Sequence, residues 1–192
     1  MAELRIAGYV NDSIVDGPGL RFSLFTQGCP HHCKGCHNAE TWDFAGGTIV
    51  DTGEILNLIK SNPLCQGVTF SGGDPFVQAK PLAELAVEIK KLGLELAIYT
   101  GWTFEQLLSM QRPEIMQLLQ CTDVLIDGKF ILEQRSLALD FKGSSNQRTI
   151  DVQKSLMYGF VVLDNSYRWN PSKDDFVTDI VITKRPACVT NY

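Results

Sequence analysis

Three cysteines in one short segment are the residues of this 192-residue sequence that point most directly to chemistry. Cys29, Cys33 and Cys36 are separated by three and by two residues, so a single loop can bring their thiolates to one metal centre. A zinc site usually has four protein ligands, and one of the histidines in the same loop would have to complete it. A 4Fe-4S cluster held by three cysteines instead leaves one iron open to a small molecule. The spacing favours these two metals about equally, with a catalytic or disulfide pair as a distant third.

The remaining cysteines, Cys65, Cys121 and Cys188, stand alone in the sequence and are expected to be ordinary core or surface residues. The first residues show neither the charged start nor the apolar core of a secretory signal, and no apolar run approaches the length of a membrane span. We therefore expect a cytoplasmic protein. A net charge of -5 argues against a general nucleic-acid or anionic-membrane surface.

The elements that must position the cysteines alternate between strand and helix patterns, which indicates an α/β fold. Strands are predicted at residues 21–26, 67–71, 94–100 and 124–127. Helices are predicted after a cap at Asp51, over residues 81–92, and from a Thr103/Gln106 capping box to about residue 119. Such successive units form a parallel sheet, so the carboxyl ends of its strands share one edge.

A polar or glycine-rich segment follows each predicted strand, at residues 27–37, 71–74, 100–101 and 127–129. Ligands of open α/β sheets and barrels bind at the carboxyl ends of the strands. We therefore expect the four segments to converge on one site, although glycine, aspartate and threonine also mark ordinary turns. Beyond them the pattern weakens: residues 142–149 are predicted to be a polar loop, with strands possible at 160–163 and 177–183.

Six motifs resemble a known superfamily. The cysteine segment CPHHCKGC resembles the cluster-binding loop of radical S-adenosylmethionine enzymes, and SGGDP at residues 71–75 resembles their glycine-rich motif. DGPGLRF at residues 16–22 and CHNAETWDFAGG at 36–47 resemble the activating enzymes of glycyl-radical enzymes. VLIDGKF at 124–130 and FKGSSNQR at 141–148 are similar to activators of anaerobic ribonucleoside-triphosphate reductase, which also share Gly35 before the third cysteine.

The resemblance implies a partial (βα) barrel of parallel strands over residues 1–157, with a short C-terminal extension over 158–192 packed on the same domain. It also implies the chemistry of the superfamily. A reduced 4Fe-4S cluster cleaves S-adenosylmethionine to a 5'-deoxyadenosyl radical, which abstracts a hydrogen atom from a glycine of the partner. The cofactors carry the chemistry, so the resemblance implies no catalytic side chain.

The resemblance also implies roles for individual residues. Cys29, Cys33 and Cys36 are the expected iron ligands. A second set of residues is expected to contact S-adenosylmethionine, and it includes Cys36 a second time. This set is Gly35, Cys36, His37, Ser71, Gly72, Gly73, Asp74, Thr100, Asp127 and Lys129. Thr100, Asp127 and Lys129 have the alternative role of stabilising a loop. His31 and His32 are expected to be exposed, and residues 16–21 to form either a turn or a contact with the partner's glycine segment.

The expected partners are the glycyl-radical subunit of anaerobic ribonucleoside-triphosphate reductase and an electron donor such as flavodoxin or ferredoxin. Neither nucleic acid nor a membrane is expected as a partner. Two alternatives remain at this point. One is the activating enzyme of pyruvate formate-lyase, which uses the same chemistry, and the other is a zinc-stabilised binding module.

Overall fold

The computed structural model describes residues 2–166, 168 and 169. The strands are β1 (Glu3–Ser13), β2 (Arg21–Thr26), β3 (Thr48–Asp51), β4 (Gly67–Gly72), β5 (Glu95–Tyr99), β6 (Val124–Asp127) and β7 (Arg148–Asp151). The α-helices are α1 (Thr52–Ser61), α2 (Ala79–Lys91), α3 (Phe104–Ser109), α4 (Pro113–Cys121) and α5 (Val152–Tyr158). No helix within these residues is both long enough and apolar enough to cross a membrane.

One seven-stranded sheet organises the chain in the order β3-β1-β2-β4-β5-β6-β7. Its four central strands, β2, β4, β5 and β6, are parallel, as the alternating pattern predicts. The outer strands β1, β3 and β7 run antiparallel to their neighbours. This open, mostly parallel sheet confirms the predicted α/β class with its central parallel strands, and it places the carboxyl ends of those strands on one edge.

Successive side chains of each central strand point to opposite faces of the sheet. The helices cover one of these faces. On the helix face, Phe22, Leu24, Val68 and Phe70 are completely buried beneath apolar helix residues such as Leu82. Burying a side chain of this size contributes about 1.5–3 kcal/mol, so this layer dominates the stability of the fold. The opposite, inner face carries buried polar residues such as Arg21 and Thr69 on β2 and β4, and a smaller apolar cluster that includes Val124, Ile126 and Trp169.

A buried ion pair lies on the inner face at the amino ends of the strands. The guanidinium of Arg21 is fully buried and donates to Glu95 Oε1 at 2.8 Å and to Thr69 Oγ1 at 2.7 Å. Burial lowers the pKa of Arg21, and the neighbouring Glu95 carboxylate opposes that shift. The indole of Trp169 covers the guanidinium, with its ring centroid 5.4 Å from the Arg21 carbon.

The predicted helix caps are largely confirmed. Asp51 accepts a hydrogen bond from the Gly53 amide at 2.7 Å and caps α1. Thr103 and Gln106 form the predicted capping box of α3, at 3.2 Å and 2.8 Å. Helix α2 begins at Ala79, two residues before its predicted start, because a short 3-10 helix at residues 75–78 leads directly into it.

The edges of the sheet depart from the prediction. Strands β1 and β3 were not predicted, and the predicted polar loop at residues 142–149 runs into β7, where Arg148 and Thr149 pair with β6. The strand expected at 160–163 is wrong, because a single bridge between Ile150 and Leu163 is all that forms there. The possible strand at 177–183, Cys188 and most of the 158–192 extension lie outside the described residues.

Candidate functional site

The cysteine loop leaves the sheet where β2 ends, and its first residues are fixed by backbone hydrogen bonds. The amide of Gly28 donates to the Thr41 carbonyl at 2.8 Å, and that of Cys29 donates to the Trp42 carbonyl at 3.2 Å. Gly28 has a φ of 94°, a conformation that favours glycine. The loop therefore starts from a defined position at the carboxyl edge.

The three clustered thiols are free and differ in exposure. Cys29 is buried, whereas Cys33 and Cys36 are partly exposed. Burial raises the pKa of the Cys29 thiol and of the Cys33 thiol, while the Phe130 amide and the charge of Lys129 act to lower the pKa of Cys33. Within the described residues, no three histidine, cysteine or acidic side chains meet closely enough to hold a single metal ion. Three thiols in one loop, one of them near a lysine and an amide donor, do suit an iron–sulfur cluster.

The side chain of His31 is buried within the loop, and the expectation that it is exposed is wrong. Its side chain is 4% exposed, and Nε2 lies 2.8 Å from Asp74 Oδ2. The ring meets Trp102 edge-on, with 4.6 Å between the ring centroids. A Cβ atom on Gly101 would lie 2.3 Å from the His31 ring, so the glycine makes room for this contact. His32 is exposed, as predicted.

Asp74 follows β4 and joins three segments of the edge through its buried carboxylate. Oδ2 accepts from Thr100 Oγ1 at 2.9 Å and from the Gly101 amide at 3.0 Å, in addition to its contact with His31. Oδ1 accepts from the Phe76 amide at 3.0 Å. Protein donors thus occupy both carboxylate oxygens of Asp74, a residue that was expected to contact S-adenosylmethionine. The geometry gives Asp74 and Thr100 a positioning role.

The two glycines before Asp74 approach protein backbone rather than open space. Gly72 has a φ of 91°, and a Cβ atom there would lie 2.6 Å from the Thr26 nitrogen. A Cβ on Gly73 would lie 2.4 Å from the Gly28 carbonyl oxygen. We expected a close approach to a ligand at these positions, whereas the observed requirement comes from the packing of β4 against the start of the cysteine loop. Ser71, just before them, accepts from Thr26 Oγ1 through its carbonyl at 3.1 Å.

We expect Gly73→Ala to lower the iron content of the protein, because the added Cβ must push Gly28 and the neighbouring Cys29 out of position. Forcing an added methyl group against rigid backbone typically lowers the free energy of unfolding by about 1–3 kcal/mol. Iron per chain after anaerobic reconstitution measures the effect, with Gly8→Ala as the control, since the space around Gly8 is open and its φ, like that of Gly73, is not positive. Normal iron content in the Gly73 variant would contradict this expectation.

Asp127 and Lys129, both expected to contact S-adenosylmethionine, have different surroundings in the structure. Asp127 is buried, accepts from the Phe104 amide at 2.8 Å and is paired with Arg148, whose Nε donates to Oδ1 at 2.9 Å. The same arginine binds Glu105 with both terminal nitrogens, at 3.0 Å and 2.7 Å, and lowers the pKa of Glu105 to about 2. Asp127 therefore anchors helix α3. Lys129 is exposed and close enough to Cys33 to act on its pKa.

Gly35 and His37 lie on the outer part of the cysteine loop and pack on the segment that follows β6. Gly35 has a φ of 74°, and a Cβ there would meet the Leu132 side chain at 2.9 Å. The exposed His37 ring lies 5.4 Å from the Phe130 ring. Their expected contacts with S-adenosylmethionine stay predictions.

The carboxyl edge thus brings together the four segments that the sequence analysis singled out. The cysteine loop contacts Asp74 and Gly101 through His31, and it contacts the 128–132 segment through Cys33, Gly35 and His37. His31, Phe130 and Arg148 are site residues that sequence reasoning missed. The motif at 141–148 includes Arg148 and could have pointed to it, but the motif does not indicate which side chains Arg148 contacts.

Comparisons with known proteins show what this chain is similar to. A family model described as a 4Fe-4S single cluster domain matches residues 15–150. The chain is similar to the anaerobic ribonucleoside-triphosphate reductase-activating protein of Haemophilus influenzae, with 36% identity over 147 residues that cover 72% of this chain and 92% of that protein. The protein of the same name from Escherichia coli is 32% identical over 148 residues, covering 72% and 93%.

A second kind of activating enzyme is also similar. The pyruvate formate-lyase 1-activating enzyme of Escherichia coli is 33% identical over 158 residues, which cover 79% of this chain but 62% of that enzyme. Among solved structures, the crystal structure of QueE from Escherichia coli matches 65% of this chain and 70% of its own, at 16% identity and a TM-score of 0.42.

Proposed function

This chain belongs to the family of anaerobic ribonucleoside-triphosphate reductase-activating proteins, and we propose that it activates such a reductase by generating a glycyl radical on it. It is a radical S-adenosylmethionine enzyme that uses a 4Fe-4S cluster. The observation that carries the proposal is the three-cysteine loop at the carboxyl edge of the sheet, in a chain that covers 92% of its Haemophilus relative. The pyruvate formate-lyase activator is the second candidate. The match to that longer enzyme covers 62% of its length, less than the 92% of the Haemophilus relative.

Cys29, Cys33 and Cys36 would hold the cluster, and S-adenosylmethionine would bind beside it along the same edge. When bound, the cluster supplies the electron that cleaves S-adenosylmethionine to the 5'-deoxyadenosyl radical. Gly35 and His37 flank the third cysteine in the loop, and we propose that they contact the bound S-adenosylmethionine. Lys129 is exposed near Cys33, and its ammonium is available to an anionic group such as the carboxylate of the ligand.

The chain's own residues orient the site and shield it. The buried Cys29 fixes the inner end of the loop, and His31 joins that loop to Asp74. Asp74 in turn holds Thr100 and Gly101 at the end of β5. These oxygens and amides are paired within the protein and need no water as a hydrogen-bond partner, and keeping water out protects a radical from side reactions.

The glycine segment of the reductase is expected to enter from the inner face of the open sheet. Gly17 and Arg21 pack together beneath Trp169, and residues 16–21 are proposed as one contact of that segment. We further propose a cytoplasmic protein that takes its electron from a flavodoxin or ferredoxin and needs neither nucleic acid nor a membrane. The negative net charge of the chain agrees with the last point.

The test is to mix the anaerobically reduced protein with S-adenosylmethionine and the reductase and to record the electron paramagnetic resonance spectrum. We expect a glycyl doublet on the reductase that is missing when S-adenosylmethionine is left out. A doublet that forms on pyruvate formate-lyase but not on the reductase would reassign the partner. A colourless protein with one zinc per chain would replace the enzyme by a zinc-stabilised binding module.

A further inference from the structure

The turn between β1 and β2 presents two adjacent apolar side chains to solvent. Ile14 is 71% exposed and Val15 is 73% exposed, and we call this pair the apolar tip. A single exposed apolar residue is ordinary on a protein surface, but turns are usually built from glycine, proline, asparagine, aspartate and serine. Two neighbouring β-branched residues in the middle of a turn therefore need a reason.

The turn that carries the apolar tip is fixed on both sides. Ser13 Oγ donates to Asp16 Oδ2 at 2.5 Å and so closes the turn around the tip. On one side, Asn62 Nδ2 at the end of α1 donates to Asp12 Oδ1 at 2.8 Å. On the other side, Thr69 Oγ1 on β4 donates to the Asp16 carbonyl at 2.8 Å. The two apolar side chains are also stiff at their first torsion, so they have little conformational freedom to lose when they bind a partner.

The apolar tip lies at the rim of the inner face of the sheet. Thr69, which holds Asp16, also accepts from the buried Arg21 guanidinium on that face at 2.7 Å. Val10 pairs with Ser23 across β1 and β2, and Ser23 shares its side of β2 with Arg21. The side chain of Val10, which is 47% exposed, therefore belongs to the same face. Apolar side chains thus lie both at the tip and on the face by which the glycine segment is expected to enter.

The size and charge of this surface favour a transient protein partner. Stable interfaces bury about 1,200–2,000 Å² in total, far more than two side chains provide. A few well-held apolar residues are nevertheless enough to act as a hot spot within a larger contact. Asp12 beside the tip is exposed and negative, which favours basic groups around the pocket that receives the tip. Such a contact suits an activator, because an activator must leave one reductase before it reaches the next.

We propose that the apolar tip is a docking contact for the reductase, and that Ile14 and Val15 insert into an apolar pocket with a basic rim beside the glycine segment. The tip directly precedes residues 16–21, so it contacts the body of the reductase when those residues contact its glycine segment. It determines the affinity for the partner and takes no part in the cleavage of S-adenosylmethionine. This inference rests on the proposed function, in which the reductase is the partner.

The experiment compares the reconstituted full chain with its Ile14→Ser/Val15→Ser double variant. Glycyl radical formation is measured at increasing reductase concentration, and binding of the two proteins is measured under the same anaerobic conditions. We expect KM and Kd for the reductase to rise about tenfold, which corresponds to about 1.4 kcal/mol of binding free energy. The rate at saturating reductase and the 5'-deoxyadenosine formed without reductase should match those of the wild type, because both depend on the cluster and not on the tip.

The matched control is the double variant Leu137→Ser/Met157→Ser. Both side chains are apolar and highly exposed, at 92% and 76%, but Leu137 follows β6 and Met157 lies on α5. An equal rise of KM in this control would overturn the proposal, as would a tip variant with wild-type affinity. A tip variant that loses cleavage of S-adenosylmethionine in the absence of reductase would also overturn it, because the tip would then support the fold of the site.

Self-association is the competing use of the apolar tip. If the tip variant turns a dimer of this chain into monomers while its affinity for the reductase is unchanged, the tip joins two copies of the chain and the proposal is wrong. A wild-type protein that forms no glycyl doublet on the reductase refutes the proposed function and the docking contact with it. That result is distinct, because it is visible before any variant is compared.

Discussion

Alanine in place of any one of Cys29, Cys33 and Cys36 is expected to abolish iron-dependent cleavage of S-adenosylmethionine. Each thiolate in a three-cysteine site holds a different iron of the cluster, so none can substitute for another. The expected loss is complete within detection. It is measured as 5'-deoxyadenosine formed under anaerobic reduction, together with iron per chain.

Cys65→Ser is the matched control for these variants. Cys65 is also a free cysteine, but its thiol donates to the Gly67 carbonyl at 3.2 Å, at the amino end of β4. Cleavage by this variant should stay close to that of the wild type. Wild-type cleavage in a Cys33→Ala protein would remove the cluster assignment, and loss of cleavage in Cys65→Ser would show that the assay reports folding instead.

Glu95→Gln is expected to destabilise the protein by about 3–5 kcal/mol, because it removes the negative charge beside a fully buried arginine. Arg21 donates to Glu95 at 2.8 Å, and the exposed fractions of the two side chains are 0% and 4%. A buried guanidinium keeps its charge even when its pKa is lowered, so the loss cannot be avoided by giving up a proton. The free energy of unfolding in urea measures the effect.

The exposed pair of Lys91 and Glu88 supplies the control for this prediction. Its N–O distance is 2.7 Å, shorter than that of the buried pair, but its side chains are 64% and 37% exposed. Solvent screens such a pair, and Glu88→Gln should change the free energy of unfolding by less than about 1 kcal/mol. Equal losses in the two variants would mean that burial does not decide the contribution of Glu95.

The central sheet was predictable because its strands are short, almost fully buried runs bounded by turn residues. The predicted limits of β2 and β6 agree with the structure to the residue. Strand β1 was missed, because its apolar residues are mostly exposed and its pairing with β2 contains irregularities that break the alternation. Strand β7 is polar at its start, and it becomes a strand through its pairing with β6.

The location of the candidate site was also predictable, but the partners of its side chains were not. Parallel strands place their carboxyl ends together, and this alone brings the four polar segments to one edge. Hydrogen-bond partners come from far along the chain: His31 is 43 residues from Asp74, and Thr100 is 26 residues from it. The sequence therefore indicates which residues meet, whereas the fold decides whether a carboxylate faces a ligand or another part of the protein.

The carboxylate of Asp74 also has a consequence for the energetics of the edge. Thr100, Gly101 and His31 share one oxygen of this group, and Phe76 occupies the other. Donors that share an acceptor are coupled, so the contribution of each depends on whether the others are present. The free energy of holding the cysteine loop in place is therefore a property of the whole set and cannot be divided among its single hydrogen bonds.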